Sequence, residues 1–451
     1  MTLLDHPGAH QIPENDPEKR GELKAGEVNV TSGDASPSFN SSDQHDIAPT
    51  PQLKGALASW NEKIEGLAGL EARGITRVLP EEKHGGGIGG YLQMGLLWFS
   101  INMAATNIIT GLLGPLLFSL GWVDSICIAI FALGLSACAP SYTATFGPES
   151  GNRTMMVAII ALYAKTVKHF DTSAASVGPS GTITANHCSF FALEFASVIG
   201  FAAIGADFYT YYPTNTSKWA TFFTTWSGTW LSLIFCNIVG IGIATGVAGI
   251  PAWSNAYDIS SGALLLECYD GLGGFGRFLI VILALGSVTN NAPCSYAAAL
   301  TIQVLGRYAK ATPRWLWCVA ITVVELALSV AGRNHLFAVF ENFLPIMSYW
   351  VCPWLTIVVE EHLLFHKLRG VPFDWSAWED KKRLPIGAAA LFAWLVGWAG
   401  AIIGMYQVWY AGPVALKIGG YRGDIGAWLA IAFAGVVYPP LRYLELKKFG
   451  R

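Results

Sequence analysis

Charged residues are scarce in this chain. Asp, Glu, Lys and Arg make up 13% of its 451 residues, whereas soluble globular proteins carry roughly 25%. This scarcity excludes an ordinary soluble protein, and a formal net charge of −3 gives no reason to expect nucleic acid as a partner. The eight cysteines stand singly without a CxxC pair, so we expect neither a disulfide framework nor a metal site. An enzymatic role also lacks support, because no nucleophile–base pair stands out.

Apolar residues, glycine and tryptophan are abundant instead. The chain is 53% hydrophobic and contains 49 Gly and 17 Trp, a composition typical of all-α polytopic membrane proteins in a lipid bilayer. Residues 1–90 are polar and largely disordered in composition, which predicts a cytosolic tail. The first half of this tail holds no apolar core segment, so we predict no amino-terminal signal peptide.

Hydrophobic windows of about 20 residues, the length that crosses a bilayer, predict nine spans. They cover about residues 91–112, 115–139, 187–206, 221–248, 275–304, 315–331, 336–358, 386–409 and 424–440. A tenth crossing between the second and third windows would bring the Lys- and Arg-rich short loops and both termini to the cytosol. The sequence therefore predicts nine to ten spans.

The tenth crossing has little sequence to form it. The only apolar stretch between Gly147 and His187 is Met155–Ala164. As a helix these residues rise about 15 Å, which is half the thickness of the hydrocarbon layer. Either this segment crosses under strain, or the downstream half inserts inverted relative to its charges.

Two adjacent carboxamides and a proline lie inside an apolar stretch, Phe275–Leu305. Asn290 and Asn291 are followed by Pro293. Polar groups at membrane depth are costly unless they face a cavity or a partner helix, and proline removes a backbone donor. We therefore predict a proline-broken helix whose amides bind a small, neutral, polar solute. The alternative is that the amides hydrogen-bond between helices.

Further polar groups crowd the middle of the first predicted span. Ser100 and Asn102 are followed one turn later by Thr106 and Asn107. This pattern is typical of an unwound helix that lines a solute path. Small polar residues also let helices pack closely, so a packing role stays open.

Four residues are candidates for ion coupling. Glu325 lies near the middle of its predicted span and Glu194 in the outer third of another, and membrane carboxylates are functional candidates by default. A paired or cavity-facing structural role is the alternative for both. Ser287 and Thr289 offer oxygen ligands for a cation.

Several motifs together resemble the fungal purine–cytosine permeases of the nucleobase–cation symporter family. They are Leu97–Asn102 (LWFSIN), Thr145–Thr154 (TFGPESGNRT), Phe170–Ser173 (FDTS), Ala206–Tyr209 (ADFY) with Tyr212-Pro213, Asn290–Pro293 (NNAP) and Ala331–Asn334 (AGRN). They occur in family order and cover nearly everything after residue 90. The resemblance implies two inverted five-helix repeats around a midplane substrate site, followed by two more helices.

The resemblance also implies roles for individual residues. It assigns Asn290, Asn291 and Pro293 to substrate binding and places a binding serine at Ser100. At Phe201 the family usually has a tryptophan that stacks on the base, and the alternative for this phenylalanine is a core or lipid-facing position. The implied activity is import of cytosine or purine nucleobases at the plasma membrane by proton symport, without a cofactor. The oligomeric state stays open.

One departure from the family pattern is large. The third and fourth helices and most of the fifth have no counterpart after Ala158, where the short crossing also falls. The implied organisation is an incomplete first repeat at 91–170, a second repeat at about 187–358 and two extra helices at about 386–440. The alternative function is therefore a transport-inactive product, an isoform or gene-model error, of such a permease.

Overall fold

The computed structural model describes residues 87–145, 156–209, 212–213, 215–332, 335–371, 373, 382–419 and 423–450. Most of the predicted cytosolic tail, residues 1–86, lies outside the described residues, as does most of the TFGPESGNRT motif. Helix α1 begins at Gly87.

The described chain is mainly helical. The first seven helices are α1 (Gly87–Asn102), α2 (Ala105–Leu116), α3 (Trp122–Ala144), α4 (Met156–Thr166), α5 (Ser180–Ile199), α6 (Lys218–Gly246) and α7 (Pro251–Ile259). The next seven are α8 (Ser261–Cys268), α9 (Gly273–Val304), α10 (Arg307–Ala311), α11 (Arg314–Gly332), α12 (Leu336–Glu360), α13 (Ala388–Gly404) and α14 (Gly426–Phe449). A π-helical segment, Glu361–Lys367, continues α12. Strands β1 (Tyr406–Gln407) and β2 (Tyr410–Ala411) pair antiparallel after α13.

Helices occupy all nine of the predicted windows. Among the described residues, six are long and apolar enough to cross a membrane, and α1 with α2 would make a seventh span bent by 56°. Helix α13 is apolar but has only 17 residues. Two boundaries differ from the prediction. Residues 117–121 form a turn before α3, and residues 200–203 are a 3-10 turn that follows α5.

The short segment before the FDTS motif is an 11-residue helix, α4. Ala158, Ile159 and Leu162 on this helix are fully buried. The hydroxyl of Tyr269, after α8, donates to the carbonyl oxygen of Ala158 at 2.7 Å. The length of α4 agrees with the short apolar segment predicted from sequence, and its buried face packs against the core.

Helix α6 is the centre of the first half of the molecule. It contacts α1, α2 and α3 over long stretches. A Cβ atom at Gly240 would lie 2.1 Å from the carbonyl oxygen of Ile108 on α2, so only glycine permits this close approach of the two backbones. Helix α6 also bonds to α3 through two tryptophans. The indole N–H of Trp226 donates to the carbonyl oxygen of Gly134 at 2.9 Å, and that of Trp230 donates to the carbonyl oxygen of Ile130 at 3.1 Å.

The last three long helices form a second packed group. Helices α13 and α14 contact each other extensively, and both contact α12. The guanidinium of Arg442 on α14 is nearly buried and bonds to Glu361 at 2.9 Å and to Glu445 at 3.0 Å. A buried cation that is paired on two sides fixes α14 against the end of α12.

Candidate substrate site

The first membrane helix is interrupted near its middle. Helix α1 ends at Asn102 and α2 begins at Ala105, with 56° between them. Within the break the backbone N–H of Ala104 donates to the carbonyl of Asn102 at 2.9 Å, and that of Met103 to Ser100 at 3.3 Å. The last carbonyl groups of α1 therefore lack regular helical partners. The unwound helix predicted from the polar residues is present.

Three other helices supply hydrogen bonds to this break. The amide nitrogen of Asn107 on α2 donates to the Asn102 carbonyl at 2.6 Å, and the Cys236 thiol of α6 lies 3.6 Å from the same oxygen. From α9, the amide nitrogen of Asn290 donates to the Ile101 carbonyl at 2.8 Å. The break is thus the point where α1, α2, α6 and α9 meet.

Ser100 and Asn102 form their hydrogen bonds within α1. The Ser100 hydroxyl donates to the Leu96 carbonyl at 2.6 Å, and the Asn102 amide nitrogen donates to the Trp98 carbonyl at 2.8 Å. Both side chains are buried. The amide oxygen Oδ1 of Asn102 is buried and has no hydrogen-bond partner among the described residues, which leaves one strong acceptor available beside the break.

Asn291 faces a different neighbour from Asn290. Its amide nitrogen donates to Glu325 Oε2 on α11 at 2.8 Å. The Ser295 hydroxyl, one turn later on α9, lies 3.1 and 3.3 Å from the two carboxylate oxygens of Glu325. Asn291 is exposed, while Ser295 and Glu325 are half-buried. The structure therefore joins two residues from different predicted roles, a substrate amide and an ion-coupling carboxylate.

The predicted break at Pro293 is wrong. Helix α9 runs without interruption from Gly273 to Val304 and contains Pro293. One missing backbone hydrogen bond does not end a helix of 32 residues, because neighbouring groups in a membrane bundle compensate for it. The interruption lies opposite, in α1–α2, and the side chain of Asn290 reaches it from an intact helix.

Phe201 lies on the 3-10 turn after α5 and contacts the other side of α1. Its ring meets Trp98 edge to face, with 5.9 Å between centroids and 89° between planes. Phe208 also contacts Trp98, at 4.9 Å. Phe201 is half-buried and Trp98 fully buried. The arrangement provides aromatic surface beside α1, although Phe201 here packs on protein.

The remaining ion-coupling candidates do not join this cluster. Glu194 on α5 is fully buried, and neither of its carboxylate oxygens has a partner among the described residues. Ser287 on α9 is half-buried. The side chain of Thr289 lies outside the described part of the chain.

A separate groove of about 480 Å³ opens between α3, α5 and the start of α14. Its lining includes Asp124, Cys127, His187, Cys188, Phe191 and Trp428. His187 Nε2 lies 3.1 Å from Asp124 Oδ2, and the Ser176 hydroxyl also bonds to Asp124. None of the residues predicted to bind substrate lines this groove.

Sequence reasoning missed three participants in the site. These are the backbone carbonyl of Ile101, the Cys236 thiol and the Ser295 hydroxyl. Ser295 carried a usable signal, because its i+4 spacing from Asn291 puts both on one face of a helix. Cys236 carried none, since a cysteine in an apolar run is typical of a buried hydrophobic position.

Comparison with known proteins gives a consistent result. A family model described as permeases for cytosine/purines, uracil, thiamine and allantoin matches residues 157–421. The purine-cytosine permease fcyB of Emericella nidulans is 30% identical over 480 residues, which cover 86% of this chain and 92% of that protein. The vitamin B6 transporter TPN1 of Saccharomyces cerevisiae is 28% identical over 525 residues, covering 87% and 90%. Both alignments are longer than this 451-residue chain, so they contain gaps opposite residues of the relatives.

A solved structure shares the fold. It is that of Mhp1, a nucleobase-cation-symport-1 family transporter, in a closed conformation with bromovinylhydantoin bound. The superposition has a TM-score of 0.50 and covers 84% of this chain and 96% of Mhp1, with 12% sequence identity. The likeness shows a common helical transporter architecture.

Proposed function

Because this chain belongs to the family of permeases for cytosine/purines, uracil, thiamine and allantoin, we propose that it imports cytosine or purine nucleobases by proton symport at the plasma membrane. It is a multi-pass membrane transporter rather than an enzyme. The observation that carries the proposal is the meeting of Asn290 with the carbonyl groups freed at the α1–α2 break. Donors and acceptors are concentrated there within an otherwise apolar helix bundle.

The chemistry of the break suits a nucleobase. Such a ring is flat and uncharged, with donors and acceptors along its edge. The unpartnered Oδ1 of Asn102 would accept a ring N–H, and the Asn290 amide would turn from Ile101 to a ring acceptor. The half-buried ring of Phe201 offers aromatic surface for a ring face, and the fully buried Trp98 packs against it. Purines, cytosine and the vitamin B6 named for the relatives are all small nitrogen heterocycles, so pyridoxine belongs among the solutes to test.

Uptake of radiolabelled cytosine, hypoxanthine and pyridoxine into permease-null cells tests this proposal. We expect saturable uptake of at least one solute, and we expect Asn290→Ala to abolish it while the tagged protein remains at the cell surface. Asn342→Ala is the matched control, because the Asn342 amide nitrogen bonds within its own helix and its Oδ1 accepts from the backbone N–H of Val408, so neither bond involves α1, α2 or α9. Full uptake by Asn290→Ala would refute the assignment of Asn290 to the site.

A second candidate function is a transport-inactive product with an incomplete first repeat. Three observations favour it: α4 has only 11 residues, α11 has no buried residue, and the alignments are longer than the chain. Reading the transcript near codon 158 tests this candidate, since three missing spans with their loops correspond to about 80 codons. If an in-frame segment of that size is found, the longer product should transport and the 451-residue chain should not.

A further inference from the structure

The two neighbouring amides of α9 have partners of different chemistry. Asn290 donates to a backbone carbonyl, that of Ile101, and Asn291 donates to a carboxylate, that of Glu325. Adjacent helix positions point about 100° apart, so each amide faces a different helix. A backbone carbonyl does not take up a proton at any pH that a folded protein tolerates, whereas a carboxylate does so in acid. Of these two hydrogen bonds, only the one from Asn291 to Glu325 can therefore depend on pH.

Glu325 accepts hydrogen bonds from two residues of α9. Asn291 donates at 2.8 Å, and Ser295 donates at 3.1 Å to Oε1 and lies 3.3 Å from Oε2. An ionised carboxylate is a pure acceptor, and its hydrogen bonds are roughly twice as strong as those between neutral groups. In its charged form Glu325 thus holds the Asn291 amide firmly.

Among the described residues, no titratable group near Glu325 forms an ion pair with it. On α9 the Cys294 thiol faces it and also contacts the Asn290 carbonyl at 3.8 Å. On α11 itself, Arg314 precedes Glu325 by three turns, about 16 Å along the helix, and bonds to the Tyr296 hydroxyl at 3.1 Å. The charge on Glu325 is therefore compensated by the neutral donors of Asn291 and Ser295.

We propose that Glu325 is a positioning residue for Asn291, and that a proton taken up by Glu325 releases the Asn291 amide to the solute. This inference rests on the proposed function of the same site. The proton comes from water and forms an O–H bond on Glu325. The hydrogen bond from the Asn291 amide nitrogen then weakens, and that donor becomes available to an acceptor on the solute. When the proton returns to water, the carboxylate recaptures Asn291 and the solute loses this contact.

Linkage gives this arrangement a measurable consequence. If a proton strengthens solute binding, the solute must strengthen proton binding by the same factor. Solute affinity then falls with rising pH, by up to about tenfold per unit for one linked proton. Asn290 supplies no such dependence, because its partner is a peptide carbonyl.

The first test measures binding of radiolabelled cytosine to the full chain in lipid nanodiscs between about pH 4 and 8. Glu325→Gln should bind with a pH-independent affinity close to the low-pH affinity of the original chain. Glu325→Asp should restore part of the pH dependence. Glu341→Gln, a carboxylate on α12, is the matched control and should retain the original slope. An unchanged slope in Glu325→Gln would overturn the proposal.

The second test needs no solute. Infrared spectra of the full chain during a pH titration should contain a carboxylic acid band that is missing in Glu325→Gln and shifted in Asn291→Leu. A band that Asn291→Leu leaves unmoved would overturn the pairing, whatever the solute does. A further outcome is a band that is missing in Glu325→Gln and shifted in Asn291→Leu while no heterocycle binds to any variant. That result would refute the nucleobase proposal and support the hydrogen bond between Asn291 and Glu325.

Discussion

The most apolar windows of helices α6 and α11 have nearly the same hydropathy but opposite surroundings. The most apolar 18-residue window of the span Lys218–Gly249, which contains α6, has a mean hydropathy of 2.0, and 72% of that window is buried. The corresponding window of α11 has a mean hydropathy of 1.9, and none of it is buried. Average apolarity therefore identifies a membrane span without indicating whether it faces protein or lipid.

Small residues distinguish the two helices. Helix α6 carries Gly228, Gly240, Gly242 and Gly246 together with several Ser and Thr, the residue types that let membrane helices approach closely. The central part of α11, Val319–Val330, consists mainly of Ala, Val and Leu around Glu325.

The largest expected effect comes from enlarging a small residue on each helix. Gly240→Leu should lower the melting temperature strongly or prevent folding, because even a Cβ would lie 2.1 Å from the Ile108 carbonyl oxygen; overpacking costs about 1–3 kcal/mol and more where backbone must move. Ala327→Leu on the exposed face of α11 should change stability by less than about 0.5 kcal/mol. Thermal unfolding of the detergent-solubilised protein measures both. Equal losses would remove the distinction between the helices.

The next effect comes from removing apolar volume. Ile243→Ala, at a fully buried position of α6, should cost about 2–5 kcal/mol, since it leaves a cavity in a packed core. Val323→Ala on α11, where the side chain is 61% exposed, should cost almost nothing. The same unfolding assay applies. A large loss at Val323 would indicate that an unseen partner covers α11.

A smaller effect is expected when a single hydrogen bond is removed, either beside α4 or beside α11. Tyr269→Phe removes the buried bond to the Ala158 carbonyl and should cost about 0.5–1.5 kcal/mol. Trp317→Phe removes a bond from the indole to the Ala309 carbonyl, at 3.2 Å, next to α11, where the side chain is half-exposed. We expect the second loss to be the smaller one in unfolding measurements. The reverse order would contradict the assignment of the stable core to the α4–α6 region.

The smallest effect concerns pH and the loop that reaches α6. The backbone N–H of Asp171 lies 3.3 Å from the Thr245 hydroxyl, and hydrogen bonds from the Ser173 side chain and backbone lower the pKa of the exposed Asp171 carboxyl. A lowered folded-state pKa contributes stability above the unfolded-state pKa, and this stability is lost as pH falls through the folded-state value. Ser173→Ala should therefore reduce the fall in melting temperature on acidification below about pH 4. Ser329→Ala on α11 should leave that profile unchanged; an identical change in both variants would speak against the Asp171 contribution.

The spans were predictable because nine apolar windows of membrane length are visible in the sequence. The break in α1–α2 was predictable too, since Ser100, Asn102 and Asn107 cluster where a span should be apolar. Its partner residues were not, because contact between Asn290 and Ile101 joins positions 189 residues apart. The prediction failed at Pro293 for a different reason. Proline removes one donor, and the loss of one donor is compatible with a continuous helix in a bundle.

The link between Asn291 and Glu325 shows a further limit of sequence reasoning. Each residue was a candidate, for a substrate amide and for an ion-coupling carboxylate, yet nothing in the pattern placed them together across 34 positions. Hydropathy sets which segments enter the membrane, and pairing of their polar side chains depends on rotation about each helix axis. That rotation follows from packing between helices.

The bend between α1 and α2 has an electrostatic consequence. Aligned peptide dipoles give a helix about half a negative elementary charge at its C-terminus and half a positive one at its N-terminus. Because α1 ends at Asn102 and α2 begins at Ala105, opposite partial charges lie on either side of Met103 and Ala104, which are buried away from bulk water. Under the proposed function, the main chain itself would orient an uncharged ring with a permanent dipole there, before any side chain contacts it.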